Sequence, residues 1–289
     1  MFDFAFRGPW VCRLLALLTI ILSASAAAYP VAAPVPGGIA RVRLPGMPGQ
    51  TPPPEAFLGT QPVWVVAEEG HWLAIVGIAL DTAEGMHTLR VNTGNDEVSI
   101  RFKVNAKDYP AQRITLKDGS KVTLSDADEA RAVREIEQIQ RLKAHWRAAT
   151  DTDSDFLRPA DGRLASRFGL RRFFNGEPRA PHSGLDFAVA RGTSLKAAAG
   201  GQILAVGDYF FNGKTVFIDH GNGLLTLYCH LDRIDVRVGD SVAKGQPIGL
   251  SGMTGRASGP HVHWGVILNG VMVDPELFLK PAPVKPRRR

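Results

Sequence analysis

Near the C-terminus the stretch GPHVHWGV, residues 259–266, carries two histidines two places apart. In a strand, side chains alternate between faces, so His261 and His263 share one side while Val262 and Trp264 share the other. An isolated H-x-H pair is a weak signal, and its weight depends on what stands near it. Five of the eight histidines fall between 182 and 263. In APHSGLDFAV, His182 and Asp186 stand four apart. That spacing puts both on one face of a strand or of a helix, and Gly184 with the alternating LDFAV favours a loop entering a strand. In GLLTLYCHLDRI, parity groups Tyr228 with His230 and sends Cys229 to the other face, as a small buried hydrophobe rather than a nucleophile or ligand. His220, in IDHGNGLL, falls outside the strand pattern at the mouth of an Asn-Gly turn and reads as a turn residue.

Glycines 249, 252, 255 and 259 bring a loop tightly down before the H-x-H strand and permit close backbone approach. One aspartate and four histidines on several strands of one domain could therefore converge on a metal. A catalytic zinc takes three protein ligands and leaves a fourth place for water or substrate, which frees the remaining histidines to move protons. On this basis one histidine of the H-x-H pair is a ligand and its neighbour handles the attacking water.

The elements that must position these residues are strands. Residues 155–280 are strand-rich and punctuated by glycine. Upstream, residues 29–60 are rich in Pro and Gly with one possible strand at IARVRL, and residues 63–104 split into VWVVA, HWLAIVGIAL, MHTLRV and VSIRFKV between turn signals. Short runs of this kind predict an antiparallel β-sandwich-like module over 29–122. His71 and His87 in it have no partners at ligand spacing and read as strand residues. Between the modules, over 123–150, Ser125 and Asp128 resemble a capping box, and Val133, Ile136, Ile139, Leu142 and Trp146 recur on one face of a helix. The predicted fold is mainly β: an N-terminal β-sandwich-like domain, a linking α-helix, and a C-terminal antiparallel β catalytic domain over 151–280.

Composition sets the setting. The first 28 residues carry Arg7 and Arg13, an apolar run from Leu14 to Leu22 and small residues up to Ala28, which predicts a cleaved secretory signal rather than a stable membrane anchor. Cys12 precedes the apolar run, where lipidation does not use it, and removal of the signal leaves Cys229 alone, without an internal disulfide. The net charge of +6 suits nucleic acid, an anionic membrane or a polyanionic wall alike, with a wall polymer the better fit to an exported protein, and the KPRRR end reads as a solvated disordered tail over 281–289 rather than a binding site. No basic block with interleaved aromatics suggests nucleic acid, and that class is set aside.

HSGLD, YCHL and SGMTGRASGPHVHWGV, in this order, resemble the signature of the lysostaphin and LytM type zinc endopeptidases of peptidase family M23, as do SRFGLRRF, IDHGNGLLTLY and VGDSVAKGQPIGLSG. The likeness covers roughly the last 125 residues, and the N-terminal module is similar, more loosely, to the β domains that precede such catalytic domains. It implies Zn2+ as cofactor, His182, Asp186 and His263 as ligands, His230 and His261 as catalytic histidines, and Tyr228 and Arg256 near the substrate. It further implies cleavage of peptidoglycan, at the bond from D-Ala to meso-diaminopimelate, in the periplasm of a Gram-negative bacterium. Two alternatives stand beside it: a non-catalytic peptidoglycan-binding regulator of another wall hydrolase, and a latent enzyme blocked by its N-terminal region.

Overall fold

A computed structural model describes residues 30–94, 96–114, 124–174 and 176–280. The predicted signal segment and the basic tail lie outside these residues. The N-terminal module consists of β1 (Ile39–Leu44), β2 (Glu55–Leu58), β3 (Gln61–Glu68), β4 (His71–Gly77), β5 (Gly85–Asn92) and β6 (Glu97–Val104). They form one antiparallel sheet in the order β1-β4-β3-β2-β5-β6, which curls into a near-barrel. Alternation explains its interior: Ala40, Val42 and Leu44 of β1 face inward with Trp72, Ala74 and Val76 of β4. Ile39, Trp64 and Ile75 point outward, and they are buried in the core of the second module.

Next come β7 (Ala111–Ile114) and α1 (Asp126–Lys143), followed by β8 (Arg163–Ser166), β9 (Arg171–Phe174), β10 (Glu177–Pro178), β11 (Leu185–Ala188) and β12 (Ser194–Lys196). The chain ends in β13 (Gly201–Tyr209), β14 (Gly213–Asp219), β15 (Leu224–Ile234), β16 (Ser241–Val242), β17 (Pro247–Ser251), β18 (His261–Leu268) and β19 (Val271–Val273). The large antiparallel sheet runs β16-β13-β14-β15-β18-β11-β8, while β7 pairs in parallel with β9.

α1 begins where expected: the Ser125 hydroxyl accepts from the Asp128 amide at 3.2 Å, satisfying one of the free N–H groups of the first turn. It ends at Lys143, so Trp146 lies beyond it. Ile139 and Leu142 pack on Tyr209, Phe217, Leu225 and Leu227, but Val133 and Ile136 remain 51% and 47% exposed, so only half of the expected apolar face finds a partner.

His220 also departs from its turn-residue reading. It is buried, its Nδ1–H donates to the Gly200 carbonyl at 2.7 Å, its Nε2 accepts from the Thr226 hydroxyl at 2.8 Å, and its ring lies 5.2 Å from that of Phe156. Burial depresses it from the usual 6.5 to about 4, against the opposing pull of the Gly200 carbonyl. His220 is therefore neutral in the fold and takes up its proton first in the unfolded chain, so stability falls as pH drops from about 6.5 to about 4, by about 3 kcal/mol in all. Denaturant unfolding measured across that range should show the loss, and His220→Gln should flatten the slope whatever its effect at pH 7.

Candidate active site

The antiparallel pairing of β11 with β18 sets Asp186 directly opposite His263 and Leu185 opposite Trp264. His182 enters from the loop before β11, held by its own amide on the Leu170 carbonyl at 3.0 Å and by the Gly169 amide on its carbonyl at 2.8 Å. Gly184 lets this loop cross β18: a Cβ there would lie 2.4 Å from the Trp264 carbonyl oxygen and 2.8 Å from the His263 ring.

Three heteroatoms then meet. His182 Nε2 lies 2.9 Å from Asp186 Oδ1, His263 Nδ1 lies 2.8 Å from the same oxygen, and the two nitrogens are 3.0 Å apart. Atoms bound at about 2.0–2.1 Å to one tetrahedral ion stand about 3.3 Å apart, so this group has the dimensions of a cation site. Among the described residues it is the cluster of His, Cys, Asp and Glu that could hold a metal. The Nδ1–H of His182 donates to the Arg167 carbonyl at 2.7 Å, which leaves the Nε2 lone pair for the cluster. Two imidazoles and one carboxylate make a three-ligand set with an open position, and zinc fits those donors.

Burial alone would raise the Asp186 carboxyl, but the imidazoles of His182 and His263, which hydrogen-bond to it and carry charge when protonated, hold it well below the usual carboxylate range. Burial pushes His263 down, against the pull of Asp186. Arg172 on β9, absent from the predicted site, places a guanidinium nitrogen 3.4 Å from Asp186 Oδ2. Its signal in the sequence was the basic run RRFFNGEPR just upstream of His182.

Two further histidines flank the cluster. The His230 ring is 4.7 Å from that of His261 and 6.3 Å from that of His263. The Nδ1–H of His261 donates to the Gly259 carbonyl at 2.8 Å, and that of His230 to the Thr254 carbonyl at 2.9 Å. Each therefore keeps a bare Nε2 able to accept a proton. Burial, with the neighbouring charge of His263, lowers His230 to about 4.

Strand parity fails at Tyr228 and His230. Lys214 pairs with Leu231 but Val216 pairs with Tyr228, so Thr215 alone faces both Cys229 and His230. This bulge, with His230 at a positive φ of 65°, turns His230 to the face of His263. Tyr228 points the other way, fully buried, its hydroxyl accepting from the Ala198 amide at 2.8 Å. It is a core residue out of reach of substrate, which corrects its expected place in the site. Arg256 stands on the exposed loop before β18, its guanidinium 4.2 Å above the Phe211 ring.

Comparison with known proteins follows the same division of the chain. Residues 180–275 match the model of peptidase family M23, and residues 32–107 match that of the peptidase family M23 N-terminal domain. A crystal structure described as an M23 peptidase from Pseudomonas aeruginosa is 41% identical, with a TM-score of 0.73 over 86% of this chain and 96% of that one. The peptidoglycan DD-endopeptidase ShyA of Vibrio cholerae is 42% identical over 39% of this chain, and the DD-carboxypeptidase/endopeptidase Mpg of Neisseria meningitidis is 38% identical over 42%. Those stretches span 26% and 28% of the two relatives.

Cys229 lies opposite His263 on β15, 1% exposed, and burial raises its thiol well above the usual range. A thiolate is the reactive form, so Cys229 should resist iodoacetamide in the native protein and label fully in denaturant, as read by peptide mass spectrometry.

Proposed function

Because the chain belongs to peptidase family M23, we propose that it is an exported zinc endopeptidase that hydrolyses peptide cross-links of peptidoglycan, at the bond from D-Ala to meso-diaminopimelate. The observation that carries this reading is the meeting of His182 Nε2, Asp186 Oδ1 and His263 Nδ1 within 3.0 Å, with two more imidazoles beside them. These three residues would hold the metal. A zinc ion there supplies a Lewis acid that acidifies water and polarises a carbonyl.

His261 takes the proton of the attacking water at its bare Nε2 and returns it to the leaving amine. The Gly259 carbonyl, holding Nδ1–H, keeps that tautomer through the cycle. His230, neutral because it is buried beside His263, accepts a hydrogen bond from the same water and orients it. Arg172 steadies the outer oxygen of Asp186, and Arg256 faces the substrate. The names of the Vibrio and Neisseria relatives support peptidoglycan as substrate, and the signal-like first 28 residues support the periplasm of a Gram-negative bacterium. A regulator that never cuts has no use for a full ligand set and two poised bases.

Purified protein should convert cross-linked muropeptide dimers to monomers, as followed by mass spectrometry, and a chelator should stop it. Absence of conversion by zinc-loaded protein would reject the reading. His261→Ala and His230→Ala should each lower turnover by about 100-fold or more while zinc stays near one per chain. His182→Ala, Asp186→Ala and His263→Ala should lose the zinc as well.

One observation favours latency as a second reading: β7, from the N-terminal side of the chain, lies along β9 with Gln112 opposite Arg172, next to Asp186. In that case limited proteolysis that frees β7 should raise activity, and unchanged activity removes latency.

A further inference from the structure

We propose that Thr254 is a positioning residue for the reaction, its carbonyl and its hydroxyl together setting the tautomer and the placement of the His230 ring. The proposal rests on the peptidase reading of the site and deepens it. His230 Nδ1–H donates to the Thr254 carbonyl at 2.9 Å, which leaves Nε2 bare, with the His261 ring 4.7 Å away. In a neutral imidazole the hydrogen bond made by one ring nitrogen decides which of the two carries the proton. Without an acceptor at Nδ1 the proton can sit on Nε2, and a group that accepts a hydrogen bond from water becomes one that donates.

The Thr254 hydroxyl holds that carbonyl in place. It accepts from the Lys214 amide at 2.9 Å and donates to the Leu231 carbonyl at 2.7 Å. Lys214 and Leu231 are paired across β14 and β15, and the register breaks directly beside them. The hydroxyl therefore bridges the two strands at the bulge that turns His230 toward His263. His230 sits at a φ of 65°, a conformation that a residue other than glycine keeps only where its surroundings impose it. Its own amide is tied to the Asn212 carbonyl at 2.8 Å and the carbonyl of the next residue to Thr254, so the backbone is held on both sides.

The loop carrying Thr254 lies against the start of β14 with no room for a side chain between them. A Cβ at Gly213 would lie 2.4 Å from the Thr254 hydroxyl, and one at Gly255 would lie 2.3 Å from the Gly213 amide nitrogen. His261 has no such arrangement: its Nδ1–H goes to the Gly259 carbonyl, two residues back in its own chain. Of the two histidines, His230 is the one whose tautomer depends on a clasp between separate segments.

Valine keeps the shape of Thr254 without the hydroxyl, and serine keeps the hydroxyl. Thr254→Val should lower kcat about ten- to hundred-fold, with KM within about two-fold and zinc near one per chain, whereas Thr254→Ser should stay within about three-fold of the native rate. On a His230→Ala background Thr254→Val should cost nothing further, since no ring remains to be placed. NMR of isotope-labelled imidazole nitrogens in the zinc-loaded chain reads the tautomer directly: His230 should be Nδ1–H in the native protein and in Thr254→Ser, and should shift toward Nε2–H in Thr254→Val. Should Thr254→Val not fold, Thr254→Ala gives the same comparison.

An Nε2–H signal for His230 in the native protein overturns the proposal. So does an unchanged tautomer or rate in Thr254→Val, equal impairment of Thr254→Ser, or a further loss on the His230→Ala background. If the native protein cleaves no cross-link, the peptidase reading fails, and the tautomer spectra alone decide whether Thr254 sets the ring.

Discussion

The register of β11 against β18 is the constraint on which the site depends. Asp186 faces His263 across that pair, and a slip of one residue would send both side chains to the opposite face. What holds the register lies underneath: Phe187, Val262 and Trp264 are fully buried on the other side of the two strands, so a slip would expose three large apolar side chains. The same alternation therefore secures the core and aims the polar groups. An anionic carboxylate with little access to solvent would be costly alone, but here its two oxygens are shared among two imidazoles and Arg172.

What could be foreseen from the sequence follows from how regular each element is. In β18 the period of two is unbroken, and His261 and His263 do share a face against Val262 and Trp264. In β15 the same rule misplaces Tyr228 relative to His230, because the pairing with β14 inserts a bulge that depends on a register set elsewhere in the sheet. His220 was misjudged for a related reason. Its local sequence is a turn, but Gly200 and Phe156 close over it from distant segments and Thr226 from the strand that follows the turn. For α1 the apolar spacing was correct, yet periodicity does not say how much partner surface exists, and Val133 and Ile136 stay about half exposed among the described residues.

The loops around the site are tied to rigid elements rather than left free. Glu135 on α1 accepts the Phe210 amide at 2.5 Å and Arg131 donates to the Asp208 carbonyl at 3.0 Å, which anchors the turn between β13 and β14. That turn receives the amide of His230 on the Asn212 carbonyl at 2.8 Å and carries the ring under Arg256. The helix that seemed only a linker thus braces one wall of the site through the backbone.

Besides burying Ile39, Trp64 and Ile75 in the core of the catalytic scaffold, the N-terminal part of the chain, β7 included, meets the strands of the site at two places. At one, Asn269 exchanges a pair of hydrogen bonds with the backbone of Gly77, at 2.6 and 3.1 Å, just beyond the end of β18. An eight-residue strand rises about 3.4 Å per residue, so this anchor lies about 25 Å from the histidine end. At the other, β7 lies on β9, whose Arg172 touches Asp186. Separating the module from the scaffold would therefore disturb the far end of the strand that carries His263 and the near support of Asp186 together. A bond to β18 behind its core-facing residues can change stability without moving a ligand, whereas a bond to β9 is one side chain from the carboxylate. Of the two attachments, the β7 strand is the one through which the N-terminal region can act on the chemistry.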